Sequence, residues 1–397
     1  MRSKRIIRSS ILILVIGLIT GALILYLNKP YSFQATTVAE RQCPEYKVVE
    51  EYSKTVEKGR DIVRKLLKSF GSPGMAIAVS VDGKLVWSET FGYANVKQRV
   101  PVCPQTRFRI ASLSKPITAA AVAVLYERGR LDLDVPIQRY VPSFPVKEAT
   151  ITTRQLLGHM SGIRSNEGNE PVSQKHYNSI GESLSIFKDD PLLFSPGTRF
   201  SYSNYGYVLL GAVIEGASGE DYGSFIQKNI LDPLAMRHTT VGVEDDKIPD
   251  LSGFYEHIGN GEIREAPLVD YSRVLPSGGF VSTAEDLVLF SNAFLAGDIL
   301  KPQTVNAMFT PQRTSDGKPT RYGLGWGIHK YNGRVYPYHT GHAVGAISCI
   351  MIAPKDKVVL AMLSNLGMVT AREAEFVGPK PPDPAEIIEI FMNAKNR

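Results

Sequence analysis

Hydrophobic residues recur at helical spacing between Val48 and Phe70. Val49, Tyr52, Val56, Val63, Leu66, Leu67 and Phe70 share one face, and Gly71 and Pro73 end the run. The period then drops to two. "MAIAVSVDGKLVWSETFG" reads as two alternating strands around Asp82-Gly83, a hairpin with a two-residue turn. "SLSKPITAAAVAVLYERG" follows as an apolar helix closed by Gly129. Residues 130 to 310 read as mostly helical and rich in loops. Thr152 or Thr153 caps "RQLLGHM", and "YGYVLLGAVIEGASG" forms a further apolar helix. The chain ends on strands, "GAISCIMIAP" and "KVVLAMLSN", joined through Lys355-Asp356-Lys357. Strands at both ends with helices between predict an α+β fold. One sheet would draw on both termini, and a large, mostly helical insertion would pack on it.

The N-terminus stands apart. Ser9 to Leu27, "SSILILVIGLITGALILYL", is uncharged over a length close to that of a bilayer core, and it has no polar face. It predicts an uncleaved single-pass anchor at 9–27, preceded by a basic tail at 1–8 and followed by a linker at 28–47. The globular domain is then 48–397. Arg2, Lys4, Arg5 and Arg8 would keep the tail inside and put the domain across the membrane. An Arg/Lys-bearing, acid-free start also leaves a mitochondrial route open.

Composition changes this picture little. The chain is 43% hydrophobic and 21% charged, and its net charge is +6. That excess belongs to residues 1–30, because the rest of the chain carries 40 basic against 39 acidic residues. No basic face for nucleic acid is implied. Three cysteines, Cys43, Cys103 and Cys349, cannot all pair within one chain, so a disulfide framework is not the organising principle. HExxH and CxxC are absent, and the His339–His342 pair lacks a third ligand nearby in sequence. Neither a metal nor a cofactor is called for.

The candidate chemistry begins at Ser112-Leu-Ser-Lys115. Residues three apart on a helix share a face, so this hydroxyl and amine are neighbours. The helix N-terminus favours a developing anion, and a desolvated lysine is a base for the serine proton. Ser-x-x-Lys also occurs at Ser185–Lys188 and Ser315–Lys318, but only Ser112 opens a long apolar helix after a hairpin. Two more motifs follow in order, Tyr202-Ser-Asn204 and His339-Thr340-Gly341. A second Tyr-x-Asn, Tyr93–Asn95, precedes the serine and ends the hairpin, which marks it as packing. His159, "PSGGF" and "YGLGWGI" also read as packing or turn elements.

Ser-x-x-Lys, Tyr-x-Asn and Lys/His-Thr-Gly in this order resemble the serine β-lactamase and penicillin-binding-protein superfamily, in its class C-like branch. "RIASLSK", "RGRLDLDVPIQRYVPSFP", "TTRQLLGHMSGIR" and "HTGHAVGA" are similar to the animal mitochondrial serine β-lactamase-like proteins. The resemblance implies that Ser112 is the nucleophile and Lys115 its proton partner, with Tyr202 as general base and acid. It implies substrate contacts from Asn204, His339, Thr340, Gly341 and His342, and an oxyanion hole from the N–H groups of Ser112 and His342. A peptidase of the mitochondrial intermembrane space, linked to lipid metabolism, is the implied function, and a homo-oligomer is compatible with it. Two departures stand out. His339 replaces the lysine of the third motif and holds a carboxylate less firmly, and His342 replaces a small residue. The alternatives are an esterase or D-amino-acid peptidase, a cell-wall penicillin-binding protein, and a scaffold with vestigial chemistry.

Overall fold

The computed structural model describes residues 43–396, apart from 45, 243, 244, 260, 261 and 368–380. The anticipated anchor at 9–27 lies outside the described residues. Among those residues no helix is long and apolar enough to cross a membrane.

The hairpin forms as its sequence predicts. Strands β2 (Gly74–Val81) and β3 (Lys84–Asn95) close through Asp82 at φ 51° and Gly83 at φ 76°, the left-handed pair that a tight hairpin turn needs. Near the other end come β4 (Gly327–Tyr331), β5 (Arg334–Ala343), β6 (Ala346–Ala353) and β7 (Val358–Ser364). The two halves meet where β7 pairs antiparallel with β2, from Val358 opposite Val81 to Ser364 opposite Met75. With β1 (Lys47–Val48) on the outer edge, the sheet order is β1-β3-β2-β7-β6-β5-β4.

Both faces of this sheet are covered, which explains why β2 is buried along its whole length. Ile77 and Val79 face α1 (Ser53–Phe70) and α5 (Ala385–Lys395), where Trp87 stacks on Phe391 at 6.0 Å. Gly59 on α1 lets that helix settle on Trp87, since a Cβ there would come within 2.7 Å of the indole ring. Ala76 and Ala78 face the opposite cluster. It contains the buried faces of α2 (Ser114–Glu127), α3 (Asn204–Ser218) and α4 (Ala284–Ala296). The alanines of α2 are small enough to be surrounded on every side, so this helix sits inside the domain.

The first helix starts later than its periodicity suggests. Val48 lies in β1 and the Val49 N–H donates to the Val86 carbonyl, so sheet pairing wins over the helical pattern there. Of the two candidate caps for "RQLLGHM", Thr152 is the one used, in a reciprocal pair with Gln155. Two small three-stranded sheets off the main one, one of them joining Phe108–Arg109, Thr240–Val241 and Phe280–Ser282, are built from strands too short to leave a period in the sequence.

Cys43 and Cys103 form a disulfide, while Cys349 is buried and free. The bond ties the start of the described chain to the segment that leads into α2. Replacing both partners with serine is expected to cost about 2–4 kcal/mol of stability. The measurement is the urea midpoint under oxidising conditions.

Candidate active site

The segment before α2 bends sharply. Ala111 has a left-handed backbone at φ 48°, unusual for a residue with a Cβ, and it opens the short helical turn Ala111–Leu113 that carries Ser112 into α2. One turn on, Lys115 is fully buried. Its Nζ lies 3.0 Å from Ser112 Oγ, 2.8 Å from Asn204 Oδ1 and 2.8 Å from the Ser277 carbonyl oxygen. Burial pushes the amine well below the usual lysine range. A neutral amine fits these partners. In the neutral form that burial favours, its two N–H groups would serve the two carbonyl oxygens and its lone pair would face the hydrogen of Ser112.

Tyr202 and Asn204 arrive together at the start of α3. Ser203 between them caps the helix, its Oγ accepting from the Gly206 N–H at 2.9 Å and donating to the Arg164 carbonyl at 2.7 Å. This cap points the flanking side chains toward Ser112. Tyr202 faces Ser112 closely enough to feel its hydroxyl, and Lys115 Nζ stands 4.8 Å from the centre of the Tyr202 ring. Burial pushes the phenol above its ordinary value, and the nearby Ser112 hydroxyl offsets part of this. The side chain keeps 38% of its surface exposed, whereas Tyr207 and Tyr322 behind it are buried.

The third motif is the end of β5. Pairing with β4 stops at Tyr338, so from His339 onward β5 has an open edge on that side and pairs only with β6. His339 is buried. Its Nδ1 sits 2.7 Å from the Thr340 carbonyl oxygen and its Nε2 sits 2.8 Å from the Tyr322 hydroxyl. Desolvation holds the imidazole down to about 3. It is neutral, donating from Nδ1 and accepting at Nε2. Gly341 packs where a Cβ would meet the Ile110 carbonyl at 2.3 Å, so only glycine lets β5 approach the Ser112 turn this closely. Thr340 and His342 are exposed.

The structure thus brings Ser112, Lys115, Tyr202 and Asn204 into direct contact and places β5 against their turn. Ser112, Asn204 and His342 line one cavity of about 640 Å³ with Asn166, Arg273, Ser277 and Gly278. Tyr93–Asn95 ends β3 and pairs with Val100–Pro101, so it belongs to the sheet.

Several contributors are absent from the sequence reading. The "PSGGF" turn, expected to be purely structural, presents the Ser277 carbonyl to Lys115. "YGLGWGI" does pack Trp326 among Phe290, Phe294 and Phe309, but its Tyr322 also fixes His339. His159 is a hydrogen-bonded core residue, as its sequence context suggests, with Nδ1 accepting from the Ser203 N–H at 3.1 Å and its ring 4.2 Å from that of Tyr202. Arg273 gave no signal at all, because nothing in the sequence shows which arginines are buried.

A serine hydroxyl bonded to a buried lysine, with a tyrosine and an open strand edge beside them, is the site of a serine acyl-transfer enzyme. Comparison with known proteins agrees. Residues 60–375 match the family model described as Beta-lactamase, and the chain belongs to that family of serine hydrolases. It is 35% identical over 401 residues to the serine beta-lactamase-like protein LACTB, mitochondrial, of Homo sapiens, covering 77% of this chain and 73% of that one. Among solved structures, D-amino acid amidase from Ochrobactrum anthropi SV3, complexed with D-phenylalanine, superposes with a TM-score of 0.74 at 25% identity. That match covers 87% of this chain and 99% of the amidase. The octameric penicillin-binding protein homologue from Pyrococcus abyssi gives a TM-score of 0.68 at 29% identity, covering 78% and 73% of the respective chains.

Proposed function

We propose that the protein is a membrane-anchored serine hydrolase that works through an acyl-enzyme on Ser112, with peptide, amide or ester substrates. The observation that carries this reading is the set of three contacts on the Lys115 amine. Ser112 transfers its proton to the Lys115 lone pair as Oγ attacks the substrate carbonyl carbon. The oxyanion is held by the N–H groups of Ser112 and His342. Collapse breaks the bond to the leaving group, which takes a proton from Tyr202 as Lys115 restores the tyrosine's own. Water then repeats the sequence on the acyl-enzyme and frees Ser112. The substrate backbone lies along the open edge of β5, with Asn204 on its amide. In this reading Lys115 is the base and Tyr202 the proton donor, because burial favours the neutral form of each.

The likeness to the mitochondrial LACTB proteins and the Cys43–Cys103 disulfide support a compartment outside the reducing cytosol, with the intermembrane space first among them. A role in lipid metabolism is part of the same reading. The octameric assembly named for the Pyrococcus relative supports a homo-oligomer, which light scattering on the purified chain would detect.

The test is fluorophosphonate labelling of the purified chain, with peptide mapping. The expected result is one adduct, on Ser112, that is lost in Ser112→Ala and slowed in Tyr202→Phe. A folded protein that takes no label at Ser112 would overturn the proposal. Substrate screening would include D-amino acid amides, because of the likeness to the amidase.

A further inference from the structure

The catalytic cavity contains a cation that the mechanism above does not use. Arg273 sits in the short turn Ser272–Val274, just before the segment that offers the Ser277 carbonyl to Lys115. Only 3% of its surface is exposed. Its Nε and Nη1 are buried without a hydrogen-bond partner among the described residues. Arg273 nevertheless lines the same cavity as Ser112 and Asn204.

Other well-buried arginines have acids. Arg109 pairs with Asp245 and lies between the rings of Phe254 and Tyr271, and Arg164 holds both Glu170 and Asp190. The acids in the neighbouring segments are already engaged. Glu170 accepts from Arg164, from the Glu167 N–H and from the Tyr205 hydroxyl, while Asp270 is bonded to His176 and Ser272. A guanidinium does not escape burial by losing its proton. Left unpaired, it is a standing cost to the fold that an anion in the cavity would remove.

The other candidate for binding an anion here is disabled. The third-motif residue, His339, is neutral and has both nitrogens occupied by Thr340 and Tyr322. Arg273 lines the cavity from the segment before Ser277, and a small shift of its side chain would turn the unpartnered Nε and Nη1 of its planar fork toward a carboxylate there. Asn166 lines the same cavity, and its Oδ1 is also buried without a partner among the described residues. Turning that amide over would add a further donor to the cavity lining.

We propose that Arg273 is the carboxylate-binding residue of this cavity, and that preferred substrates carry a carboxylate that meets it when Ser112 attacks. The proposal deepens the hydrolase reading and rests on it. It places the substrate anion on the turn before "PSGG" and not on the third motif.

The test uses the full chain and paired esters that differ in one charge. Mono-p-nitrophenyl adipate against p-nitrophenyl hexanoate puts the carboxylate on the acyl side, and 4-carboxyphenyl hexanoate against phenyl hexanoate puts it on the leaving group. The charged ester of one pair is expected to be preferred. In Arg273→Gln the ratio of the two kcat/KM values should fall by about 10- to 100-fold, and Arg273→Lys should keep part of it. Calorimetry of adipate binding to Ser112→Ala, with and without Arg273→Gln, reads the subsite without turnover. If no ester is cleaved but adipate binds through Arg273, the hydrolase reading fails and the anion site stands. An unchanged ratio, an equal loss on charged and neutral esters, or no preference together with no Arg273-dependent adipate binding overturns the proposal.

Discussion

Replacing Lys115 with methionine is expected to lower kcat/KM by about four orders of magnitude or more, with Ser112 still in place. The amine stands 3.0 Å from Ser112 Oγ, and its other two contacts are carbonyl oxygens that cannot take a proton. Arginine at this position should be as inactive as methionine, since a guanidinium stays protonated and has no lone pair to offer. That variant separates two mechanisms. Were the charge of Lys115 needed only to stabilise a Tyr202 phenolate, arginine would keep much of the activity. The pH profile gives the sign independently. Lys115 is pushed down by burial, so the active neutral amine is lost as pH falls through that depressed value. The acid limb of kcat/KM should therefore lie well below the ordinary lysine range. The single-turnover rate of Ser112 acylation, measured against pH in the unsubstituted enzyme and in both variants, checks all three expectations.

Adding one methyl group at Gly341 should damage stability and rate together. A Cβ there would stand 2.2 Å from Ser348 Oγ, 2.3 Å from the Ile110 carbonyl and 3.1 Å from the Ala111 Cβ. Two of these three belong to the backbone or the stem of the turn that carries Ser112, and Ser348 Oγ is itself bonded to Ile110 at 2.7 Å. Nothing in this group can swing aside, so β5 must move off the turn. Gly341→Ala is expected to cost about 1–3 kcal/mol of stability, the usual range for overpacking. It should also slow the reaction by about 100-fold, because an ångström of misplacement between the oxyanion donors is enough for that. Urea melts and kcat measured well below the melting range would separate the two effects. A variant of normal stability and normal rate would show that β5 has freedom the packing denies.

What the sequence revealed follows the range of the forces involved. Periods of two and three to four residues are local, so the hairpin at Asp82-Gly83 and the apolar helices at Ser114–Glu127 and Asn204–Ser218 were legible. The three motifs were legible because each is a short run with its own chemistry. Sheet pairing between distant segments was legible only as a general arrangement, and competition from it shortened the first helix at Val48 and Val49. Single-atom contributions were not legible at all. The Ser277 carbonyl, the Tyr322 hydroxyl and the buried guanidinium of Arg273 act through positions that only the assembled fold defines. The cysteine count left pairing open, and the structure joins Cys43 to Cys103.

The meeting of β2 with β7 has a consequence for the chain as it is made. β2 is complete at Val81, but the strand that covers its edge begins only at Val358. At ribosomal speeds of about 5–20 residues per second, that interval is on the order of tens of seconds. Throughout it, an apolar strand with one bare edge waits in a nascent polypeptide, the kind of template that invites pairing with the wrong chain. Hydrolysis is held back for the same interval, because β5 and its Gly341 are also synthesised late. A chaperone that occupies the β2 edge during synthesis or transport would therefore guard against aggregation, and would also keep the enzyme silent until its last strands arrive.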